Sequence, residues 1–139
     1  MRMTRYLIDT NIASCIIKGN SPAVDRRLVK VATADLAIST VTEGELRFGA
    51  ARLPQATRLH NMIEDFLLRV AILPWDSDAA QQCGQLRASL EREGQSMGNL
   101  DVMIAAHALA RDAILVTNDR AFGRIKRLKV EDWTKGTRQ

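Results

Sequence analysis

Aromatic residues are scarce in this chain of 139. There are six, Tyr6, Phe48, Phe66, Trp75, Phe122 and Trp133, so base stacking on aromatic platforms is not an obvious binding mode. Cysteine is scarcer still. Cys15 and Cys83 both fall in helical patterns among apolar residues and read as buried free thiols in a reducing cytosol. With only His60 and His107 beside them, a Cys/His zinc centre has no support. No apolar run approaches the ~20 residues of a membrane span. The charged start Met1–Arg5 is followed by Tyr6-Leu7-Ile8, which Asp9 cuts off too soon for a signal-peptide core. These absences point to a cytoplasmic protein with no membrane partner. Neither a Gly-x-Gly-x-x-Gly fingerprint nor a Walker A loop is present, so nucleotide cofactor binding has no support. No linker and no internal repeat divides the chain.

What remains is apolar and basic. Apolar residues make up 46% of the chain, enough for one ordinary domain with a real core. Twenty Lys and Arg stand against 16 Asp and Glu, a net charge of +4.

Short apolar runs alternate with helical patterns. Tyr6-Leu7-Ile8 reads as a first strand ending in Asp9. Thr10 or Asn11 is then in place to cap a helix that buries Ile12, Cys15 and Ile16 and stops near Gly19. Ser21-Pro22 opens a second helix, with Arg26, Arg27 and Lys30 on its solvated face. Leu36–Val41 is the second strand candidate, followed by a helix through Leu46 and Phe48. Pro54 starts a helix with Leu59, Met62, Ile63, Phe66 and Leu67 on one stripe. Arg69–Leu73 is the third strand candidate. Asp76 or Ser77 caps the next helix, through Ala80, Cys83, Leu86 and Leu90. Gly94–Gly98 is the one clear flexible loop. It leads into a helix that Asn99 is placed to cap and that carries Asp101 in its first turn. Ala113–Thr117 is a further strand with Asn118-Asp119 at its tip. Leu128–Val130 reads as an edge strand, and the tail from Thr134 to Gln139 as frayed. This order predicts an α/β domain over residues 1–133: a central parallel sheet of four to five strands with helices on both faces.

Four acids fall where a strand ends or a helix begins: Asp9, Glu45, Asp101 and Asp119. Each has a plain structural reading. Asp101 suits the positive end of a helix dipole. Thr42-x-x-Glu45 has capping-box spacing, which stands level with a functional role for Glu45. Taken together, such positions converge on one edge of an open α/β sheet. Four carboxylates so gathered repel one another unless some are protonated or a cation sits among them. With these four set apart, 20 basic residues face 12 acidic ones, a body of +8 that suits a polyanionic substrate. Arg87, on the same stripe as Cys83 and Leu90, either snorkels to solvent or points over the acids to meet a phosphate. His107 lies on a different face of its helix from Asp101 and reads as a packed or solvent-facing side chain.

The set Leu7-Ile8-Asp9-Thr10-Asn11, Thr42-x-x-Glu45-Leu46, Gly98-x-x-Asp101-x-x-Ile104-Ala105-Ala106-His107-Ala108 and Val116-Thr117-Asn118-Asp119 with Phe122 resembles the PIN domain. More narrowly it resembles the VapC toxins of bacterial toxin–antitoxin pairs. The resemblance runs in order through almost the whole chain. It implies a Mg²⁺- or Mn²⁺-dependent endoribonuclease that cuts tRNA in the anticodon region or another structured RNA. It also implies a VapB-like antitoxin that enters the active site, a homodimer and a higher assembly with the antitoxin, and contact with operator DNA only through the antitoxin. Matched motif by motif, Asp9, Glu45, Asp101 and Asp119 take the catalytic positions. Asp9, Asp101 and Asp119 are the direct metal ligands, and Asn11 and Thr117 are supporting polar groups. Glu43 is a rival to Glu45, which the Thr42 spacing and the Glu-Leu pairing favour. Carboxylate oxygens are hard donors that suit Mg²⁺ or Mn²⁺ over Zn²⁺.

Two other classes compete. A phosphorylated receiver domain needs an acid pair after its first strand and a lysine after its fifth, and neither is here. A non-catalytic basic module that binds RNA or a partner would use the same acids only to cap helices, and would draw on the basic run Arg120, Arg124, Lys126, Arg127 and Lys129.

Overall fold

The computed structural model describes residues 5–135. Five short strands, β1 (Tyr6–Ile8), β2 (Leu36–Ser39), β3 (Ala71–Leu73), β4 (Ile114–Val116) and β5 (Val130–Glu131), form one sheet in the order β3-β2-β1-β4-β5. Every neighbouring pair is parallel. All five strands therefore finish at the same edge, and the residues that follow them are delivered there.

The alternation of strand side chains sorts the core into two layers. Leu7, Ala37 and Leu115 point to one face, where α5 (Ser77–Arg92) and α6 (Asn99–Arg111) cover them with Leu86, Leu90, Ile104 and Ala108. Ile8, Ile38 and Val116 point to the other, under α1 (Thr10–Lys18), α2 (Pro22–Leu28), α3 (Thr40–Ala51) and α4 (Thr57–Arg69). Helices on both faces of a five-stranded parallel sheet are what the alternating pattern predicts. A sheet covered on both faces has no need of polar outward positions, so β2 is buried at all four residues.

Several caps differ from the sequence reading. Asp9, not Thr10 or Asn11, caps α1, its side chain accepting the Ile12 N–H at 2.9 Å. Strand β2 stops at Ser39, which caps α3 through Val41 N–H, so Val41 is helical rather than extended. Helix α4 begins at Thr57 because Pro54 lies in a turn closed by Leu53 N–H to Ala50 O and Ala56 N–H to Leu53 O. Asn99 is already helical, with Gly98 at the cap of α6. Strands β3, β4 and β5 are also shorter than or shifted from their apolar runs. Asp76 caps α5 through Ala79 N–H. Gly19, with φ +61°, ends α1 in the left-handed conformation that glycine adopts without strain.

Helices α5 and α6 form an antiparallel hairpin. Arg111 at the end of α6 pairs with Asp76 at the start of α5, at 3.2 Å. Past β5, Trp133 is buried against Tyr6, and Arg27 of α2 lies over both rings at 5.2 and 5.9 Å while pairing with Glu131 at 2.9 Å. Of the tail expected to fray from Thr134, Thr134 is held by Asp132 through its backbone N–H at 2.9 Å. Residues 136–139 lie outside the described residues, as do residues 1–4 of the charged start.

Candidate active site

Asp9 is built in first, because β1 is the central strand and Asp9 is its next residue. Its N–H donates to Val116 O at 3.0 Å, which fixes it to the neighbouring strand, and it is 5% exposed. Asp119 follows β4 on the adjoining strand end. Its N–H is taken by Thr117 Oγ1 at 3.1 Å, and its own Oδ1 accepts Ala121 N–H at 2.9 Å. Asp101 comes from the first turn of α6, half-buried. Glu45 comes from the second turn of α3.

These four carboxylates line one cleft of about 120 Å³ with Thr10 and Asn11, walled by Ile104 and Phe122. Glu45 is not half of a capping box. Ser39 has taken the cap, and Thr42 is buried inside the helix. Glu45 instead accepts a hydrogen bond from Thr10 Oγ1 at 2.6 Å, across from α1. The sequence reading missed Thr10 as a member of the site. Its place directly after Asp9, on the turn facing α3, was the only available signal. Glu43 faces elsewhere, pairing with Arg47 at 3.0 Å. Arg87 is exposed on α5 and does not line the cleft.

The cleft is costly for anions. Burial is the first cause of the raised pKa of Asp9, and the charges of Asp101 and Asp119 add to it. The Thr117 hydroxyl and the Ile12 N–H oppose the shift. Asp101 is raised by burial, then by the charges of Asp119 and Glu45. Clustered carboxylates destabilised as anions are the donor set a hard divalent cation would relieve. Among the described residues, no group of three or more His, Cys, Asp or Glu is arranged to hold an ion as it stands. Asp9, Glu45 and Asp119 each have a local donor on one oxygen, which leaves the second oxygen of each carboxylate available. The donor chemistry, four carboxylates lining one cleft, fits such an ion.

Behind the cleft, His107 is fully buried, with Nδ1 2.8 Å from Ser39 Oγ, while its Nε2 has no hydrogen-bond partner. Burial and then the charge of Arg111 lower its pKa, against Asp76 and the Pro74 carbonyl. His107 thus joins α6, which carries Asp101, to the cap of α3, which carries Glu45. It is a packed histidine, as the sequence allowed.

The PIN domain family model matches residues 6–128. This chain belongs to the PIN domain family. Within that family, this PIN domain is 41% identical over 133 residues to the tRNA(fMet)-specific endonuclease VapC of Shigella flexneri, covering 95% of this chain and 100% of that one. Among solved structures it is similar to the DNA-bound VapBC of Salmonella typhimurium, with TM-score 0.87 and 36% identity, covering 94% of this chain and 99% of that one. It is similar also to VapBC2 of Rickettsia felis bound to a fragment of its promoter, with TM-score 0.85 and 32% identity, covering 92% and 98%. The family model ends before β5 and Trp133, which pack onto this chain's sheet and core.

Proposed function

We propose that this PIN domain is a divalent-cation-dependent endoribonuclease, the cytoplasmic toxin of a VapBC-like pair. The observation that carries the reading is the meeting of Asp9, Glu45, Asp101 and Asp119 in one cleft at the common strand edge. Asp9, Asp101 and Asp119 would hold the cation, Mg²⁺ or Mn²⁺. A cation there supplies positive charge beside the scissile phosphate and a more acidic water. Thr10 holds the Glu45 carboxylate, which orients the attacking water. Thr117 steadies Asp9 and Asp119 from below, and Asn11 lines the rim. The Ile104 and Phe122 walls exclude bulk water from one side, which strengthens every charge interaction inside. Hydrolysis of an RNA phosphodiester leaves a 5′-phosphate and a 3′-hydroxyl and would stop translation. The name of the Shigella relative makes initiator tRNA the first substrate to try.

The partner we propose is a VapB-like antitoxin. An apolar groove of about 280 Å³ runs between α1, α2 and α4, lined by Ile16, Leu28, Val31, Met62 and Phe66 among others. Such a groove takes the apolar face of a helix. Ile12 is fully buried and does not reach it. Phe48 and Leu53, both more than half exposed at the end of α3, suit the homodimer contact. Operator DNA would be reached only through the antitoxin.

Cleavage of small RNA by the purified protein tests the reading. Discrete fragments with Mg²⁺ or Mn²⁺ that vanish with EDTA and with Asp101→Asn are expected. RNA binding without cleavage, indifferent to both, would favour the non-catalytic module.

A further inference from the structure

The acidic cleft repels the substrate proposed for it, so most of the affinity for RNA has to come from elsewhere on the chain. A second groove, of about 230 Å³, lies between the C-terminal half of α5 and the segment that follows the 3-10 turn Arg120–Arg124. Arg124, Lys126 and Arg127 line one side, and Ser89 and Glu93 the other. Three cations therefore meet a single anion. All three cations are exposed, as is Arg120, the residue after Asp119. Among the described residues, Arg120, Lys126 and Arg127 form no ion pair, a state they share with Arg26 on α2 and Lys30 just after it; what sets them apart is their place beside the cleft.

The strip is tied to the cleft at both ends of the 3-10 turn. Asp119 caps that turn. Arg124 donates to Ser96 O at 3.1 Å, and Ser96 lies in the loop that leads into α6 and Asp101. A 3-10 helix rises about 2 Å per residue, so Arg124 stands about 10 Å from Asp119 along its axis. At about 3.4 Å per stacked nucleotide, that is a walk of about three nucleotides.

We propose that Arg120 and the Arg124–Arg127 groove form the track for the RNA phosphate backbone on one side of the scissile bond. The proposal rests on the ribonuclease reading. Contacts of this kind set affinity and register, not sequence preference. Unpaired, exposed cations are suited to the role because they are not already neutralised by the protein's own acids, and each phosphate contact releases counterions from the RNA.

The test uses the full chain carrying Asp101→Asn, with fluorescently end-labelled bulk tRNA as the probe and anisotropy read across a salt series. Adding Lys126→Glu with Arg127→Glu is expected to weaken binding tenfold or more. The slope of log affinity against log salt should become shallower by about 1.4, two single-strand contacts at about 0.7 each. In the otherwise wild-type chain the same pair should raise KM and leave kcat within about twofold. Arg26→Glu with Lys30→Glu makes the same charge change on α2 and should shift affinity less than twofold. Unchanged binding by the groove pair overturns the proposal, and so does an equal loss from both pairs, which would mean net charge alone is at work. A groove-dependent affinity in a wild-type chain that cleaves no RNA would uphold the track and sink the ribonuclease reading. Cleavage with normal binding by the groove variant would do the reverse.

Discussion

Thr10 and Glu45 meet at 2.6 Å from different helices, and that single bond sets where the Glu45 carboxylate sits in the cleft. Thr10→Val keeps the shape and removes the donor. It is expected to lower kcat by about 10- to 100-fold, in line with the cost of small misplacements in a preorganised site. The melting temperature should change little, and combining it with Glu45→Gln should cost no more than Glu45→Gln alone. The neighbouring acids give a pH prediction. Asp9 and Asp101 both have folded pKa values raised above 3.8, so the folded chain holds these protons to higher pH than the unfolded one. Their contribution to stability is full below the unfolded value and is lost as pH rises through the raised values. Without a divalent cation, Asp101→Asn should therefore melt higher than the parent at pH 7, and the difference should close as the pH falls toward 3.8. Added Mg²⁺ should stabilise the parent at pH 7 and leave Asp101→Asn nearly unmoved, as calorimetry would read.

At the scale of elements, the cleft depends on how α3 and α6 are anchored. Ser39 ends β2, caps α3 and is held by His107 from α6. Trp75 adds a second pair of ties, from its N–H to Thr40 Oγ1 at 3.2 Å and from Nε1 to Met103 O at 2.9 Å. Ser39→Ala removes the cap and should destabilise by about 1 kcal/mol. His107→Ala removes the imidazole partner of the buried Ser39 hydroxyl, which keeps only Val41 N–H, and should cost about 1–3 kcal/mol by denaturant titration. Both changes should lower cleavage more than they lower tRNA binding, because the phosphate track does not run through this junction. The capping-box spacing at Thr42 and Glu45 was misleading for a physical reason. A serine three residues earlier, already fixed by a buried histidine, starts the helix sooner and frees Glu45 to face the cleft.

Over the whole molecule, the chain separates its surfaces by chemistry. The acids gather at the strand edge, the cations line the track beside it, and the apolar groove opens among α1, α2 and α4. Met62→Glu, at a half-buried groove position, should therefore leave RNA cleavage intact and prevent neutralisation by the antitoxin, read as cleavage that persists with the antitoxin present. Closure of the fold past β5 is also separable, because none of its residues lines the cleft. Trp133 is 2% exposed and joins Tyr6, Arg27 and Glu131. Trp133→Ala should cost about 3–5 kcal/mol, as large-to-small core changes do. Kinetic constants measured well below the new melting point should be near those of the parent.

By itself the sequence determined the parallel α/β plan, because apolar runs of three or four residues alternating with amphipathic helices leave few other ways to bury both faces of a sheet. It also determined the four acids as candidates, because Asp9 directly follows a strand run, Asp119 stands at the tip of another, Glu45 falls in the helix after a third, and Asp101 opens a helix behind a glycine loop. The boundaries and contacts were decided only in the folded state. Which of several adjacent polar residues caps a helix depends on what the others are bonded to, as Ser39 and Asp9 show. The Thr10–Glu45 bond spans 35 residues, and the Arg124–Ser96 bond spans 28. No local pattern encodes such pairs: the first exists because parallel strands bring α1 and α3 to one edge, the second because the α5–α6 turn lies beside the segment after β4.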